Sequence, residues 1–415
     1  MFKNLDRRIK VVLAAQSLYM FIMQLLAQYN VLFAQALGAG GTDIGIIMLI
    51  SGLVLLISAP YIGLAIERKP VKRMMILGLI CDITAMVIFA LANDWRLLIP
   101  AFILYGQIIR QIPLADVVFI TFTEPHKRAT LVGLSRIFCG IMSIFAPLIA
   151  SVIVTYYGGI NMHGIRPLYY ISIPILLAVL LILYKGLDEI SISNGTRNTV
   201  YPKKKSMLLY EYQRFFKSEK YLLHWIVIRL FRDSSHGLLI TFAPLWIVNV
   251  KGATATMLGI LSTLSVISGL LMQVPAGKLA DKFGRKKIFF LFTTFYCIGL
   301  IMLILAPAPE YLMLASIFGM GIGGIVGGGI GGAAMTPLLT MWWEVVPSKS
   351  TGKLYGLEGV ITAVSRMLTI TGGILWDCGF GALIIVVPVL VEILVIILLC
   401  LVPETLNCKS KSESH

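Results

Sequence analysis

The chain has 415 residues, of which 58% are hydrophobic and 13% are charged, and its formal net charge at pH 7 is +15. A soluble domain is usually about 25% charged, and a soluble fold of this size leaves too much surface facing water to hide so much apolar area. The composition therefore excludes an ordinary soluble protein and indicates lipid as the solvent. The six cysteines form no CxxC pair, so we predict neither a disulfide nor a metal site.

Twelve apolar stretches follow one another along the chain, and a membrane-spanning helix needs about 20 mostly apolar residues. We number them spans 1–12, in chain order: 11–36, 43–66, 74–92, 96–117, 129–156, 168–186, 222–250, 254–277, 288–307, 311–340, 352–376 and 380–402. They predict an all-α membrane protein with twelve transmembrane helices.

One long polar segment separates spans 6 and 7, and it includes three consecutive lysines from Lys203. We therefore predict an N-terminal six-helix bundle (1–186), a cytoplasmic linker (187–221), a C-terminal six-helix bundle (222–403) and a cytoplasmic tail (404–415). The two bundles are called the N-half and the C-half below.

Positive charge is distributed unequally between the loops. With both termini on one side, that side carries 27 of the Lys and Arg residues, five lie inside spans, and the other side carries only Arg96, Arg166 and Lys251. Lysine and arginine stay on the cytoplasmic side during membrane insertion. We expect a multi-pass cell-membrane protein with both termini in the cytoplasm. The same distribution argues against nucleic acid as a partner, which would need basic residues clustered on a soluble face.

The two halves resemble each other in sequence around spans 2 and 8. Three pairs of similar residues are each 214 positions apart: Gly45 with Gly259, Gly63 with Gly277, and Glu67 with Asp281. Two parallel six-helix repeats are a known arrangement in transporters, in which the substrate site lies between the repeats near the middle of the membrane.

The segment after span 8 reads Gly277-Lys-Leu-Ala-Asp281-Lys-Phe-Gly284-Arg285-Lys-Lys287. It resembles the cytoplasmic loop signature of the major facilitator superfamily of secondary transporters, and it lies where that family has it. The first-half copy departs from the pattern, since Glu67 replaces the aspartate and Pro70 a glycine. The resemblance implies two pseudo-symmetric six-helix bundles with a central path lined by spans 1, 4, 7 and 10.

Residues near this loop are candidates for a gate that closes the cytoplasmic side. Gly277 would allow close helix packing, Asp281 could cap a neighbouring helix N-terminus, and Arg285 could pair with a carboxylate such as Glu124 or Glu404. The alternative is a tight turn and topogenic charge without a gating role. The candidate gating residues are Gly277, Asp281, Arg285, Glu67, Glu124, Arg128, Glu344 and Glu404.

Ionisable side chains inside the membrane are costly and usually functional. On span 7, Arg229, Arg232, Asp233 and His236 share one helix face, and Arg229 can pair with Asp233 four residues on. Similar polar stripes on spans 1, 4 and 11 complete a set of candidate substrate-binding residues: Arg110, Arg232, Arg229, Gln107, Gln111, Gln24, Gln28 and Arg366.

Arginines outnumber carboxylates in these stripes, which favours an organic anion as substrate, since arginine binds carboxylate and phosphate well in a site of low dielectric. The alternative is that each arginine is paired with a carboxylate and holds helices together. Asp233 and His236 are the candidate proton-coupling residues. For Asp82 and Glu392, on spans expected to form the outer scaffold, packing is favoured over proton relay.

Span 10 contains nine glycines in the fourteen residues from Gly319 to Gly332. In a membrane bundle such a run permits close packing and bending. It cannot be a nucleotide-binding loop, because it has no preceding strand and no Lys-Ser/Thr.

We therefore expect a secondary active transporter that moves a small organic solute by rocking of two bundles, with an organic anion favoured, proton coupling and a monomeric state. The chain has no ATP-binding or HExxH motif, so we predict no enzyme activity and no cofactor. One alternative is a proton-driven multidrug exporter. An alternative of another class is a transport-dead membrane receptor on the same fold.

Overall fold

A computed structural model describes residues 6–107, 115, 118–119, 122, 128–188, 222–322, 328–345 and 351–402. Within these ranges the regular secondary structure is helical throughout, and no residue lies in a strand. The predicted all-α class is confirmed.

Span 1 of the N-half is divided into two helices by Ala27 and Gln28. It begins four residues earlier than predicted, because the Asp6 carboxylate caps it by accepting a hydrogen bond from the Arg8 amide (2.7 Å). The helices of this half are Arg7–Leu26, Tyr29–Ala36, Gly41–Arg68, Val71–Leu91, Leu98–Tyr105, Arg128–Tyr156 and Met162–Gly186.

In the C-half, span 7 ends in one π-helical turn, Trp246–Val250. Thr254 starts span 8 with a side chain that accepts from the Met257 amide (3.3 Å). The continuous helices of this half are Leu222–Leu245, Ala255–Phe283, Arg285–Leu305, Thr351–Asp377 and Leu383–Cys400.

Span 10 is not the continuous helix that the stretch 311–340 predicts. Its helices are Leu312–Phe318, Gly329–Gly332 and Met335–Val345. Three glycines have positive φ angles at the interruption: Gly319 (126°), Gly321 (77°) and Gly329 (68°). Other residues rarely adopt this conformation, so the glycine run breaks the helix here. It also allows close packing, since a Cβ on Gly331 would lie 2.5 Å from the Tyr296 Cβ.

Within the described ranges, nine helices are long and apolar enough to cross a membrane. Spans 4, 7 and 10 are not among them. The helical start of span 4 is short, span 7 carries Arg229, Arg232 and Asp233, and span 10 is interrupted. Together, the helices of the N-half and the C-half form two pseudo-symmetric six-helix bundles of a multi-pass membrane protein. The division at 187–221 stays a prediction, since 189–221 lies outside the described residues.

The halves meet along two antiparallel helix pairs, span 2 with span 11 and span 5 with span 8. The end of the bundle that carries Arg7, Gly186 and Cys400 is called the terminal face, and the other end, with Ala36 and Asp377, the opposite face. Buried apolar residues form two separate clusters. The larger joins the N-half to the opposite-face part of the C-half, and the smaller lies in the terminal-face part of the C-half alone.

Candidate functional site

The polar face of span 7 forms the predicted pair between Arg229 and Asp233. One carboxylate oxygen, Oδ2, accepts from Arg229 Nη2 (3.0 Å) and from Nε (3.3 Å). The guanidinium also lies 5.6 Å from the ring centroid of Trp342 on span 10, whose Nε1 donates to Glu358 Oε1 on span 11 (2.8 Å). Three helices of the C-half therefore meet around one cation.

Arg232 lies one turn along the same face and pairs with a different carboxylate. Its Nε donates to Glu392 Oε1 on span 12 at 3.1 Å, and the two side chains are only 8% and 2% exposed. The guanidinium also contacts the Phe289 ring (5.1 Å to the centroid) and Met335 Sδ (2.8 Å). Arg229 and Arg232 thus have the arrangement of the alternative prediction, in which a carboxylate partner holds each arginine within the bundle.

The candidate substrate-binding residues on spans 1 and 4 differ in their surroundings and in whether the structure describes them. Gln24 and Gln28 on span 1 are buried. Gln107 follows the described helix of span 4 and accepts from Ser58 Oγ through its Oε1 (3.1 Å). Arg110 and Gln111 lie outside the described residues. The predicted stripe on span 4 is therefore described only at its start.

Arg366 on span 11 reaches into the N-half. Its Nη1 donates to the Gly106 carbonyl (2.8 Å) and to Ser51 Oγ (3.3 Å). Gly106 ends the helix Leu98–Tyr105, so the guanidinium lies at a helix C-terminus. The arginine bridges the halves through a backbone group, which no sequence pattern predicted.

The candidate proton-coupling residues lie near this bridge. Asp233 is 19% exposed, and His236 is half-buried on the next turn. Between them, Ser234 Oγ lies 3.3 Å from Ser365 Oγ on span 11. Of the carboxylates expected to have packing roles, Asp82 accepts from Tyr19 OH (2.9 Å) and Glu392 holds Arg232.

Three candidate gating residues lie at the terminal face of spans 8 and 9. Asp281 is exposed and Arg285 is buried. A Cβ on Gly277 would meet no atom within 4 Å among the described residues. Glu67, Arg128 and Glu344 lie in helices, and their side chains are outside the description; Glu124 and Glu404 lie outside the described residues altogether.

At the opposite face, contacts between the halves involve residues that the sequence did not single out. Asn249 Nδ2 donates to Gln35 Oε1 (3.1 Å), and Thr155 Oγ1 lies 3.3 Å from Thr256 Oγ1. Asp377 accepts from two backbone amides at the start of span 2. The available signal was the row of glycines before Gly45 together with an acidic residue ending span 11, but neither feature identifies the other as its partner.

Comparisons with curated proteins find distant relatives. The chain is 25% identical over 274 residues to "Multidrug resistance protein MdtG" of Salmonella schwarzengrund (strain CVM19633), and the match covers 62% of each protein. It is 24% identical to the protein of the same name in Salmonella newport (strain SL254), with the same coverage. The matched region thus spans 62% of the length of these relatives.

Solved structures share the fold along nearly the whole chain. The nucleoside transporter NupG superposes with a TM-score of 0.67 at 11% identity, covering 95% of this chain and 98% of that one. A bacterial homologue of the iron transporter ferroportin, in an inward-facing state, gives 0.66 at 12% identity and covers 94% and 97%. A bacterial homologue of the lysosomal transporter Spinster, also inward-facing, gives 0.61 at 15% and covers 95% and 94%.

A family model matches both halves of the chain separately. The model for the Major Facilitator Superfamily aligns with residues 12–232 and again with 225–414. The sequence repeat, the two six-helix bundles and the two matched regions all divide the chain into the same two related halves. The chain belongs to the Major Facilitator Superfamily, whose members move small solutes across membranes.

Proposed function

We propose that this protein is a secondary active transporter that moves a small organic solute by alternating access. The observation that carries the proposal is the division of the apolar core. One cluster is continuous across the halves near the opposite face, whereas the terminal-face part of the C-half has a cluster of its own. This division is expected of a transporter whose halves are packed together at one face and can move apart at the other. In alternating access each face closes in turn, so neither face can have a permanent apolar core across the halves.

The side assignment follows from charge. Most of the lysines and arginines outside the spans lie on loops of the terminal face, which supports a cytoplasmic terminal face in a cell-membrane protein. The described conformation is then closed toward the outside. Two of the similar solved structures are also described as inward-facing.

The substrate class has two candidates. An organic anion rests on the arginines of the polar stripes, but Arg229 and Arg232 each have a carboxylate partner, which removes two of the charges on which that argument depends. Export of amphipathic drug-like compounds is the second candidate. The pairing of Arg229 and Arg232 with carboxylates supports this candidate, and so does the similarity to multidrug resistance proteins.

Proton coupling is assigned to span 7. Asp233 carries one side of an ion pair with Arg229 and remains partly exposed, so protonation of this carboxylate would release the guanidinium. His236 lies one turn away on the same face of span 7. Movement of one proton here would change the contacts among spans 7, 10 and 11.

The test is uptake and counterflow in proteoliposomes, using radiolabelled organic anions and cationic dyes in parallel, with and without an imposed pH gradient. The variants are Asp233→Asn and Arg232→Gln, with Asp188→Asn as a control, since Asp188 is exposed outside the spans. Loss of gradient-driven uptake in Asp233→Asn, with counterflow retained, supports the proton site. Transport of dyes but not anions selects the drug-exporter candidate. Absence of any gradient-driven or counterflow flux across both panels overturns the proposal.

A further inference from the structure

The first turn of span 2 is capped by a side chain from the other half of the protein. The Gly41 amide donates to Asp377 Oδ1 (2.8 Å), and the Thr42 amide donates to Asp377 Oδ2 (2.7 Å). A helix begins with amides that have no partner within the helix and with a partial positive charge, so a carboxylate there is stabilising. Asp377 is the last residue of the span 11 helix, so this cap joins the N-half to the C-half.

The two helices are close enough for this contact because glycines line the side of span 2 that faces span 11. A Cβ on Gly41 would lie 2.8 Å from the Gly373 carbonyl oxygen, and a Cβ on Gly45 would lie 2.7 Å from the Ile370 Cα. Such distances are below those of real Cβ contacts, so each glycine is required for the close approach.

A second contact of opposite sign lies about three turns along span 11. The Arg366 guanidinium donates to the Gly106 carbonyl, which ends the helix Leu98–Tyr105 of span 4. Helix C-terminal carbonyls carry a partial negative charge and favour a cation. A Cβ at Gly106 would overlap Arg366 Nη1, so a side chain there would displace the guanidinium from this carbonyl.

We propose that Asp377 and Arg366 form an electrostatic clamp on span 11 that holds the opposite face closed and releases when that face opens. The carboxylate meets a helix N-terminus and the guanidinium meets a helix C-terminus, and both helices belong to the N-half. Asp377 is exposed, so water can hydrate its carboxylate in place of the two amides when the face opens. The clamp can therefore be released without burying a charge. The clamp rests on the proposed alternating access, because only a face that opens needs one.

The test measures how often the opposite face opens. Ser151 on span 5 is 1% exposed and would touch any side chain at Gly259 on span 8, so it lies within the interface at this face. In a full-length protein whose native cysteines are replaced by serine, Ser151→Cys is labelled with a membrane-impermeant maleimide in substrate-free right-side-out vesicles. The rate of labelling then reports the open fraction of the opposite face.

Replacing a capping residue by alanine shifts an equilibrium by about 2- to 30-fold, and the exposure of Asp377 favours the lower part of that range. We expect Asp377→Ala to accelerate labelling about 2- to 10-fold, Asp377→Asn to have a smaller effect, and Arg366→Gln to accelerate it as well. If Asp377→Ala does not fold, Asp377→Asn carries the test.

The matched control is Asp43→Ala. Asp43 Oδ2 accepts from the Gly40 amide (2.9 Å) at the same helix terminus, but both residues belong to the N-half. Equal acceleration by Asp43→Ala and Asp377→Ala would mean simple fraying of span 2 and would overturn the clamp, as would an unchanged rate in Asp377→Ala and Arg366→Gln. Because labelling needs no substrate, acceleration in the Asp377 variants supports the clamp even where the solute panels fail.

Discussion

Glu392→Ala should be among the most destabilising single changes in the C-half, because it leaves the Arg232 guanidinium buried without its carboxylate. The Arg232 Nε and Glu392 Oε1 atoms are 3.1 Å apart. At an effective dielectric constant of about 20, two unit charges at that distance attract by about 5 kcal/mol. Removal of one partner from a buried pair typically costs about 3–5 kcal/mol. We therefore expect a loss of that order in the free energy of unfolding, read as a lower Tm in detergent.

The matched control is another ion pair with different burial. Arg8 and Asp188 approach to 2.8 Å but are 37% and 71% exposed, so Asp188→Ala should change stability by less than about 1 kcal/mol. The double variant Arg232→Met with Glu392→Leu should recover most of the stability lost in Glu392→Ala, since apolar replacement of a buried pair is often neutral or stabilising. A Glu392→Ala protein that melts like Asp188→Ala would refute the assignment of this pair as a packing contact of the C-half.

Three further outcomes follow from the contacts. Tyr19→Phe removes a hydrogen bond to the buried Asp82 and should lower stability by about 1–3 kcal/mol, measured by thermal melting. Gly45→Ala should lower the Tm because its Cβ meets span 11, whereas Gly277→Ala, with open space among the described residues, should leave the Tm unchanged or raise it. Thr155→Cys with Thr256→Cys should form a disulfide that locks the opposite face and stops transport until it is reduced; transport undiminished by the disulfide would contradict closure at this interface.

Helix positions could be predicted from the sequence because lipid imposes one rule, a long apolar run, and nine of the twelve stretches form such a helix within the described residues. Span 10 departed from that rule. The hydropathy of 311–340 is compatible with a helix, but the glycines Gly319, Gly321 and Gly329 adopt positive φ angles that interrupt it. A glycine run permits both packing and bending, and the sequence alone does not decide between them.

Pairing within one helix could also be predicted, because Arg229 and Asp233 are four residues apart. The partner of Arg232 could not, since Glu392 is 160 positions away and several buried carboxylates competed for the assignment. Asp377 was missed for a different reason. Its partners are two backbone amides, and a backbone amide leaves no trace in the sequence beyond the glycines that allow its approach.

The location of the strong pairs has a consequence for movement between states. Arg232 with Glu392 and Tyr19 with Asp82 each lie within one half. Among the described residues, the contacts between the halves named above are made by glycine surfaces, hydroxyl and amide side chains, and charges placed on helix ends. Breaking a buried ion pair on every cycle would cost about 3–5 kcal/mol. A protein that keeps such pairs inside each half can move the halves as rigid bodies and exchange only the weaker, more hydrated contacts with water.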